Sequence, residues 1–518
     1  MKDELRSEPF YIWIPQSILD FIIQILKVAF EFTLSIFTSL YDFLKTTGKV
    51  IVSLAKKGYE GLIKYSRIFI KGNYKTKLSF LLMGFGAYTN GQIVKGILYQ
   101  LLQVVSLGLL IFFFGPYIAK LNTLGDTLGT PVTYDPGNPN ADPFGYVPAQ
   151  PGDNSMIILL LSVGGIILAA LLYYFYLQNL RLAEANEMTL QVGKRPIPFK
   201  EEVKQLLNER FHITVLSWPV FFSFIFTVLP LVFMILIAFT EFDRFHQPPG
   251  SLFTWVGLDN FINMFSGQNA FYSRLPRTLW AILQWSFVWA IFATFLNYFF
   301  GMILALMINK KGIKLKVLWR TVFVITIAVP QFISLLIMRN FFNEQGPFVN
   351  FLIDLGLVGP GYGPFLTKES ARFWVIVINL WVGVPYTMLI TSGILMNIPA
   401  DLYESATIDG AGSITKFFKI TLPYMLFVTG PYLVTAFIGN INNFNIIYFL
   451  TGGGPSSQQL FQAGHTDLLV TWLFRLTLFD SDYKMASTLG ILIFMISSFF
   501  SLIIFSRTGG IKAEDSFQ

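Results

Sequence analysis

The sequence contains no cysteine, and its three histidines, His212, His246 and His465, stand far apart. Disulfides, thiolate metal sites and histidine clusters are therefore excluded. Charge is scarce as well: Asp, Glu, Lys and Arg make up 13% of the 518 residues, against 54% hydrophobic ones. With a mean hydropathy of +0.58, the chain is too apolar for a soluble domain of this length. No stretch reads GxxxxGK[ST], so a P-loop for ATP is missing. The predicted spans hold no Asp, Glu, Lys or Arg in their central parts. Ion-driven carriers need such groups at membrane depth. Their absence argues against a secondary transporter and for an uncharged cargo. Any ATP hydrolysis tied to this chain is therefore expected in separate subunits, with no cofactor bound to the chain directly.

What remains is an all-α polytopic membrane protein with about eight transmembrane helices. Residues 1–77 carry polar positions at helical spacing, from Asp20, Gln24, Lys27 and Glu31 onward, among Phe, Ile, Leu and Val. This pattern predicts amphipathic helices lying in the membrane interface, with lipid phosphates as partners of Lys and Arg. The first ten residues are polar and of mixed charge, which predicts no cleavable signal peptide. Residues 78–213 form an N-terminal membrane region: an entry segment (78–96), a span at Ile97–Ile118, a Pro/Gly/Asn-rich external loop, a span at Ser155–Leu177 and a charged linker. Whether the entry segment is re-entrant or part of a span stays open at this point. Residues 214–506 hold six further spans, near Thr214–Thr240, Thr278–Ile308, Val317–Met338, Phe373–Met396, Tyr424–Thr451 and Ala486–Ser506.

The net charge of +7 gathers in short loops between spans, so it signals membrane orientation and not nucleic acid. Lys310, Lys311, Lys314, Lys316 and Arg320 mark one loop as cytoplasmic. Counting spans from there places Arg181–His212, Asn397–Pro423 and both termini in the cytoplasm. The same count places Glu241–Arg277, Arg339–Arg372 and Gly452–Met485 outside.

Two stretches carry the functional signal. The first is NIPADLYESATIDGAGSITKFFKITLPYM, from Asn397 to Met425. Pro399 opens a short helix with Asp401 and Glu404 in its first turns, where the helix dipole favours acids. Gly410 and Gly412 break it, and a basic helical piece (Ser413–Ile420) leads to Pro423. Pattern alone fits a rigid knob on one membrane face or an ordinary helix–turn–helix equally well. The second signal is amides at membrane depth: Asn379, with Gly383, Pro385 and Tyr386, in one span, and Asn440, Asn442, Asn443 and Asn445 in the next. Amides in hydrocarbon need partners. Beside aromatic faces they suit the hydroxyls and ring faces of a sugar. Pro385 and Gly383 are expected to loosen their helix and widen a cavity. Gly452–Pro455 reads as a tight turn and His465 as a packing residue.

Glu404-Ser405-Ala406, then Asp409-Gly410-Ala411, Phe417, Ile420, Leu422 and Pro423, resemble the coupling loop of bacterial ABC-importer permeases, with Ser405 where members usually have alanine. NLWVGVPY, NINNFNIIYFLTGGGP and AGHTDLLVTWLFRL extend the resemblance to the larger permease subunit of maltose/maltodextrin importers, from about Val215 onward. It implies a six-helix type I importer core in a bacterial cell membrane. It also implies a second homologous permease chain, two ATPase subunits and an extracellular solute-binding protein as partners. ATPase coupling would fall on Glu404, Ser405, Ala406, Asp409 and Gly410. Sugar contacts would fall on Asn379, Val382, Gly383, Tyr386, Asn440 and Asn443. Gly439, Ala436 and Val382 are smaller than their family counterparts, which implies a roomier or shifted site for a neutral oligosaccharide. The loop Glu241–Arg277 lacks the folded domain that the best-known relatives insert there.

Overall fold

The computed structural model describes residues 45, 48, 49, 52, 53, 56–124, 153–248, 252–310 and 312–507. Among them the regular elements are helices, with two isolated β-bridges. Seven helices are long and apolar enough to cross a bilayer: α1 (Ile93–Lys120), α2 (Ser155–Gln191), α3 (Phe211–Ile237), α4 (Ala270–Asn309), α7 (Lys368–Leu395), α9 (Ser413–Ile441) and α12 (Tyr483–Leu502). Between α4 and α7 lie α5 (Lys316–Ala328) and α6 (Gln331–Phe341), which reach spanning length only as a pair bent by 90°. The elements α8 (Ala400–Ile408), α10 (Asn445–Leu450) and α11 (Leu469–Leu478) are shorter.

Two expected spans are not single helices. Val317–Met338 is not one helix: Val329 leaves the helical region (ψ 127) before Pro330, and the chain turns. Proline bars its predecessor from helical geometry and has no N–H to donate, so apolar composition continues across a backbone break. Tyr424–Thr451 is also interrupted. Its helix starts eleven residues earlier, at Ser413, and stops at Ile441; Asn442–Phe444 are non-helical before α10 begins.

The chain divides into two compact units. In the first, residues 78–96 form a folded connector built on the polar end of α2. Asn179 accepts from Gly84 N (2.7 Å) and donates to Ser79 O (3.0 Å). Asn186 donates to Gln92 Oε1 (2.9 Å), and Glu187 accepts from Thr76 Oγ1 (2.6 Å) and Asn73 N (3.1 Å). Ser79, Met83 and Ala87 are buried. The helix over residues 56–71 exposes Leu62, Ile63 and Ile70 beside Lys64 and Arg67. The remainder of the amphipathic reading of 1–77 lies outside the described residues, apart from short helical pieces.

The second unit is organised around α4. Its Leu275, Leu279 and Ile282 pack with Trp472 and Leu476 of α11 and Leu489 of α12. Trp285, Trp289 and Ala293 join Leu335 of α6, Val375 and Ile378 of α7, and Ile446 and Ile447 of α10. Tyr298 and Met302 meet Met425 and Leu433 of α9. The α4–α7 crossing is tight because two glycines face it. A Cβ on Gly301 would lie 2.8 Å from Met388 N. A Cβ on Gly383 would lie 2.8 Å from Asn297 Oδ1.

Candidate functional site

Asn379, Val382, Gly383 and Tyr386 fall at i, i+3, i+4 and i+7, so they form one stripe on α7. The stripe runs from buried to open: Asn379 is 3% exposed, Val382 and Gly383 are half-buried, and Tyr386 is 52% exposed. Gly383 does not widen a cavity as expected. It admits the Asn297 side chain of α4, and Thr387 Oγ1 then donates to Asn297 O at 2.6 Å. Pro385 is buried within a continuous helix.

The asparagine-rich end of α9 is mostly satisfied by protein. Asn440 donates to Thr294 Oγ1 (3.0 Å), and its carbonyl accepts from Trp289 Nε1 (3.1 Å). Asn442 donates to Ser497 Oγ (3.1 Å) and Asn445 to Gln331 Oε1 (3.2 Å). Asn443 Oδ1 accepts from Ile446 N (3.2 Å), capping the restart of the helix, and its Nδ2 lies 3.4 Å from Asn440 Oδ1. Asn442 and Asn445 therefore serve interhelical bonding. Asn379 differs: its Nδ2 is buried with no hydrogen-bond partner among the described residues, and so is Asn297 Oδ1. Sequence reading passed over Asn297, Thr294 and Trp289, all on α4.

The knob is α8 with the start of α9. Asp401 sits in the first turn of α8. The helix closes with Ala411 N to Ala406 O (2.8 Å) and Gly410 N to Thr407 O (3.1 Å), with Gly410 at φ +77. That paired closure needs a left-handed residue, which glycine adopts without a Cβ penalty. Glu404, Ser405, Asp409 and Gly410 are exposed, and Ala406 is half-buried. Two bonds brace α8 against α9: Tyr403 Oη with Thr421 Oγ1 (2.9 Å), and Lys416 Nζ to Thr407 Oγ1 (2.7 Å). The basic piece is not separate from the next span, because Ser413–Ile441 is one helix with a π-helical turn at Phe417–Thr421.

Sequence reading also missed an ion cluster at the α3–α4 connection. Lys484 Nζ donates to Asp243 Oδ2 at 2.6 Å, and His246 Nδ1 lies 2.8 Å from Asp243 Oδ1. Burial alone would raise the Asp243 carboxyl, but hydrogen bonds from Lys484, His246 and Phe245 N–H hold it below its ordinary value. Nearby Asp482 is pushed up to about 6 by burial, with Lys484, the Met485 N–H and Tyr272 opposing. Gly452–Pro455 lies in a tight turn closed by Gly454 N to Thr451 O (3.1 Å), and Thr466 N to Gly453 O (3.1 Å) and His465 N to Pro455 O (2.9 Å) tether it to the following segment. His465 O accepts from Arg372 Nε (2.9 Å), in keeping with a packing role.

Residues 297–508, which take in the polar seam and the knob, match the family described as the binding-protein-dependent transport system inner membrane component. The chain is 33% identical to the galactooligosaccharides transport system permease protein GanP of Bacillus subtilis, over 84% of this chain and 97% of that one. This chain belongs to the ABC-importer permease family. As a permease it is not itself an enzyme, and members of this family work with a binding protein and further subunits. It is likewise 31% identical to the maltodextrin transport system permease protein MalC of Streptococcus pneumoniae serotype 4, over 85% of this chain and 97% of that one. The match to the maltose/maltodextrin permease MalF of Escherichia coli K12 is 33% identical but covers half of each chain. The GanP match, at 440 residues, is longer than the segment from Val215 to Gln518, so the likeness reaches into the N-terminal region. That corrects the narrower extent read from the motifs.

Proposed function

We propose that this permease forms half of a translocation pathway for a neutral oligosaccharide. A second homologous permease completes it, two ATPase subunits drive it, and an extracellular binding protein delivers the sugar. The observation that carries this reading is the α7 stripe Asn379–Val382–Gly383–Tyr386 together with Asn440 and Asn443, the stripe meeting α4 at Asn297 and Asn440 meeting it at Thr294. It is a seam of amides and aromatic surface with no ionised side chain in it. Such a lining suits hydroxyls and sugar ring faces and offers a charged cargo no counter-charge. The relatives point the same way, since one is named for galactooligosaccharides and another for maltodextrin. The knob with Glu404, Ser405, Ala406, Asp409 and Gly410 faces the cytoplasm in this reading, as the loop charges require, and docks on an ATPase. The termini lie on the same side, and ATP is used only by the partner subunits.

The test is uptake by the complete complex in proteoliposomes carrying ATP inside. Glu404→Arg should abolish uptake while leaving the complex assembled, and Tyr386→Ala should weaken uptake with ATPase coupling intact. Uptake driven by a cation gradient without ATP, or wild-type uptake by Glu404→Arg, would overturn the reading.

A further inference from the structure

Resting on that reading, we propose that Asn297 of α4 and Asn379 of α7 together hold one hydroxyl of the cargo, making Asn297 a specificity residue. Both side chains are more than nine-tenths buried, at 7% and 3% exposure. Each leaves one amide atom buried and unpartnered among the described residues: an acceptor, Asn297 Oδ1, and a donor, Asn379 Nδ2. The polar groups around them are engaged. Thr387 Oγ1 donates to Asn297 O, Thr391 Oγ1 to Thr387 O (2.8 Å) and Asn440 Nδ2 to Thr294 Oγ1.

The two amides share one stretch of the seam. The Asn297 amide lies on Gly383, where a Cβ would meet its Cγ at 2.5 Å. Asn379 is one helical turn before Gly383 on the same face of α7. Gly383 is thus covered, and Asn297 presents the polar group at that level in its place. An orphan acceptor over Gly383 and an orphan donor one helical turn earlier on α7 are together the complement of a hydroxyl, which gives one hydrogen and takes another. A carboxylate or an ether oxygen satisfies only the donor. A buried amide built to receive a hydroxyl discriminates strongly against an analogue lacking it, because its own atom then stays unpaired.

The experiment uses the whole importer complex with its binding protein in proteoliposomes. The probes are maltotriose and β-1,4-galactobiose, with their monodeoxy analogues. Wild type should disfavour one monodeoxy analogue of the imported probe by about tenfold or more. Asn297→Leu and Asn379→Ala should each raise KM for the parent sugar and lose that preference, both at the same hydroxyl. Asn297→Thr, which keeps an oxygen acceptor, should retain part of it. Size-exclusion profiles should match wild type. Loss of preference at two different hydroxyls would overturn the proposal. So would reduced assembly with unchanged KM and preference, the mark of a merely structural role. If wild type imports neither probe, the oligosaccharide reading falls and this proposal with it. Import without sensitivity to either substitution sinks only the assignment of Asn297 and Asn379.

Discussion

Gly383→Ala probes the α4–α7 crossing directly. The added methyl would stand 2.5 Å from Asn297 Cγ and 2.8 Å from its Oδ1, well inside van der Waals contact. Asn297 has little room to retreat, since it is 7% exposed and its own carbonyl is held by Thr387 Oγ1 at 2.6 Å. Either the amide leaves its rotamer, at about 0.5–1.5 kcal/mol, or the two helices part, at about 1–3 kcal/mol. The obstacle is a side chain and not backbone, so the smaller end applies: roughly 1–2 kcal/mol. In the purified complex this should appear as a fall of a few degrees in the unfolding midpoint. The decisive comparison is the double variant. Asn297→Ala empties the space that the methyl invades, so Gly383→Ala should cost far less in that background. A coupling of about 1 kcal/mol or more is expected. Strictly additive effects, or a Gly383→Ala protein as stable as wild type, would show that the amide does not rest on this glycine.

Gly301→Ala should be worse than Gly383→Ala, about 3 kcal/mol, because its methyl meets the Met388 backbone nitrogen at 2.8 Å and a main chain cannot rotate aside; equal midpoints for the two variants would contradict this. Asn445→Ala should lower the unfolding midpoint by breaking the bond to Gln331 Oε1, leaving KM unchanged, since its amide is engaged by protein; a raised KM would return Asn445 to the sugar path. Gly410→Val should leave assembly intact but lose ATP-coupled uptake, because φ +77 costs an L side chain about 1–2 kcal/mol and reshapes the knob; normal uptake would refute it. Asp482→Asn tests pH. The folded carboxyl is pushed up from 3.8 to about 6 by burial, so the native state binds the extra proton and stability falls as pH rises through that window, by roughly 3 kcal/mol in full. The variant should be the more stable protein at about pH 8, with the gap closing towards about pH 4; a gap that widens on acidification would reverse the sign and reject the argument.

The spans were legible because a bilayer imposes length and apolarity on each of them, and both are properties of contiguous sequence. The knob was legible for a similar reason. Pro399, Asp401 and Gly410 act within a few residues of themselves, and α8 begins and ends where they place it. The α5–α6 break was misread although Pro330 stood in plain view, because averaging hydropathy over a window hides a single missing N–H. The asparagine cluster announced a need for partners but not the partners. Asn440, Asn445 and Asn442 find theirs 146, 114 and 55 residues away. Asn297 was invisible for the same cause: one amide in a long apolar helix gains meaning only from Gly383. The pair Asp243–Lys484, 241 residues apart, has no local signature at all.

The continuity of α9 fixes how a push on the knob would travel. Under the proposed coupling, an ATPase bears on α8, and Tyr403–Thr421 and Lys416–Thr407 pass the load to the first turns of α9. From Ser413 to Ile441 that helix is unbroken, a rod of roughly 40 Å. Its far end is tied to α4 by Trp289 Nε1 to Asn440 O and by Asn440 Nδ2 to Thr294 Oγ1. Beyond Ile441 the backbone leaves the helix, so α10 and its packing against α6 and α7 need not follow. A tilt of the rod therefore concentrates strain on two hydrogen bonds and on the non-helical residues Asn442–Phe444, beside the amides proposed to hold sugar. Weakening that tie with Thr294→Val should lower the barrier to switching and raise ATP hydrolysis in the absence of cargo. Hydrolysis that stays cargo-dependent in that variant would place the switch elsewhere.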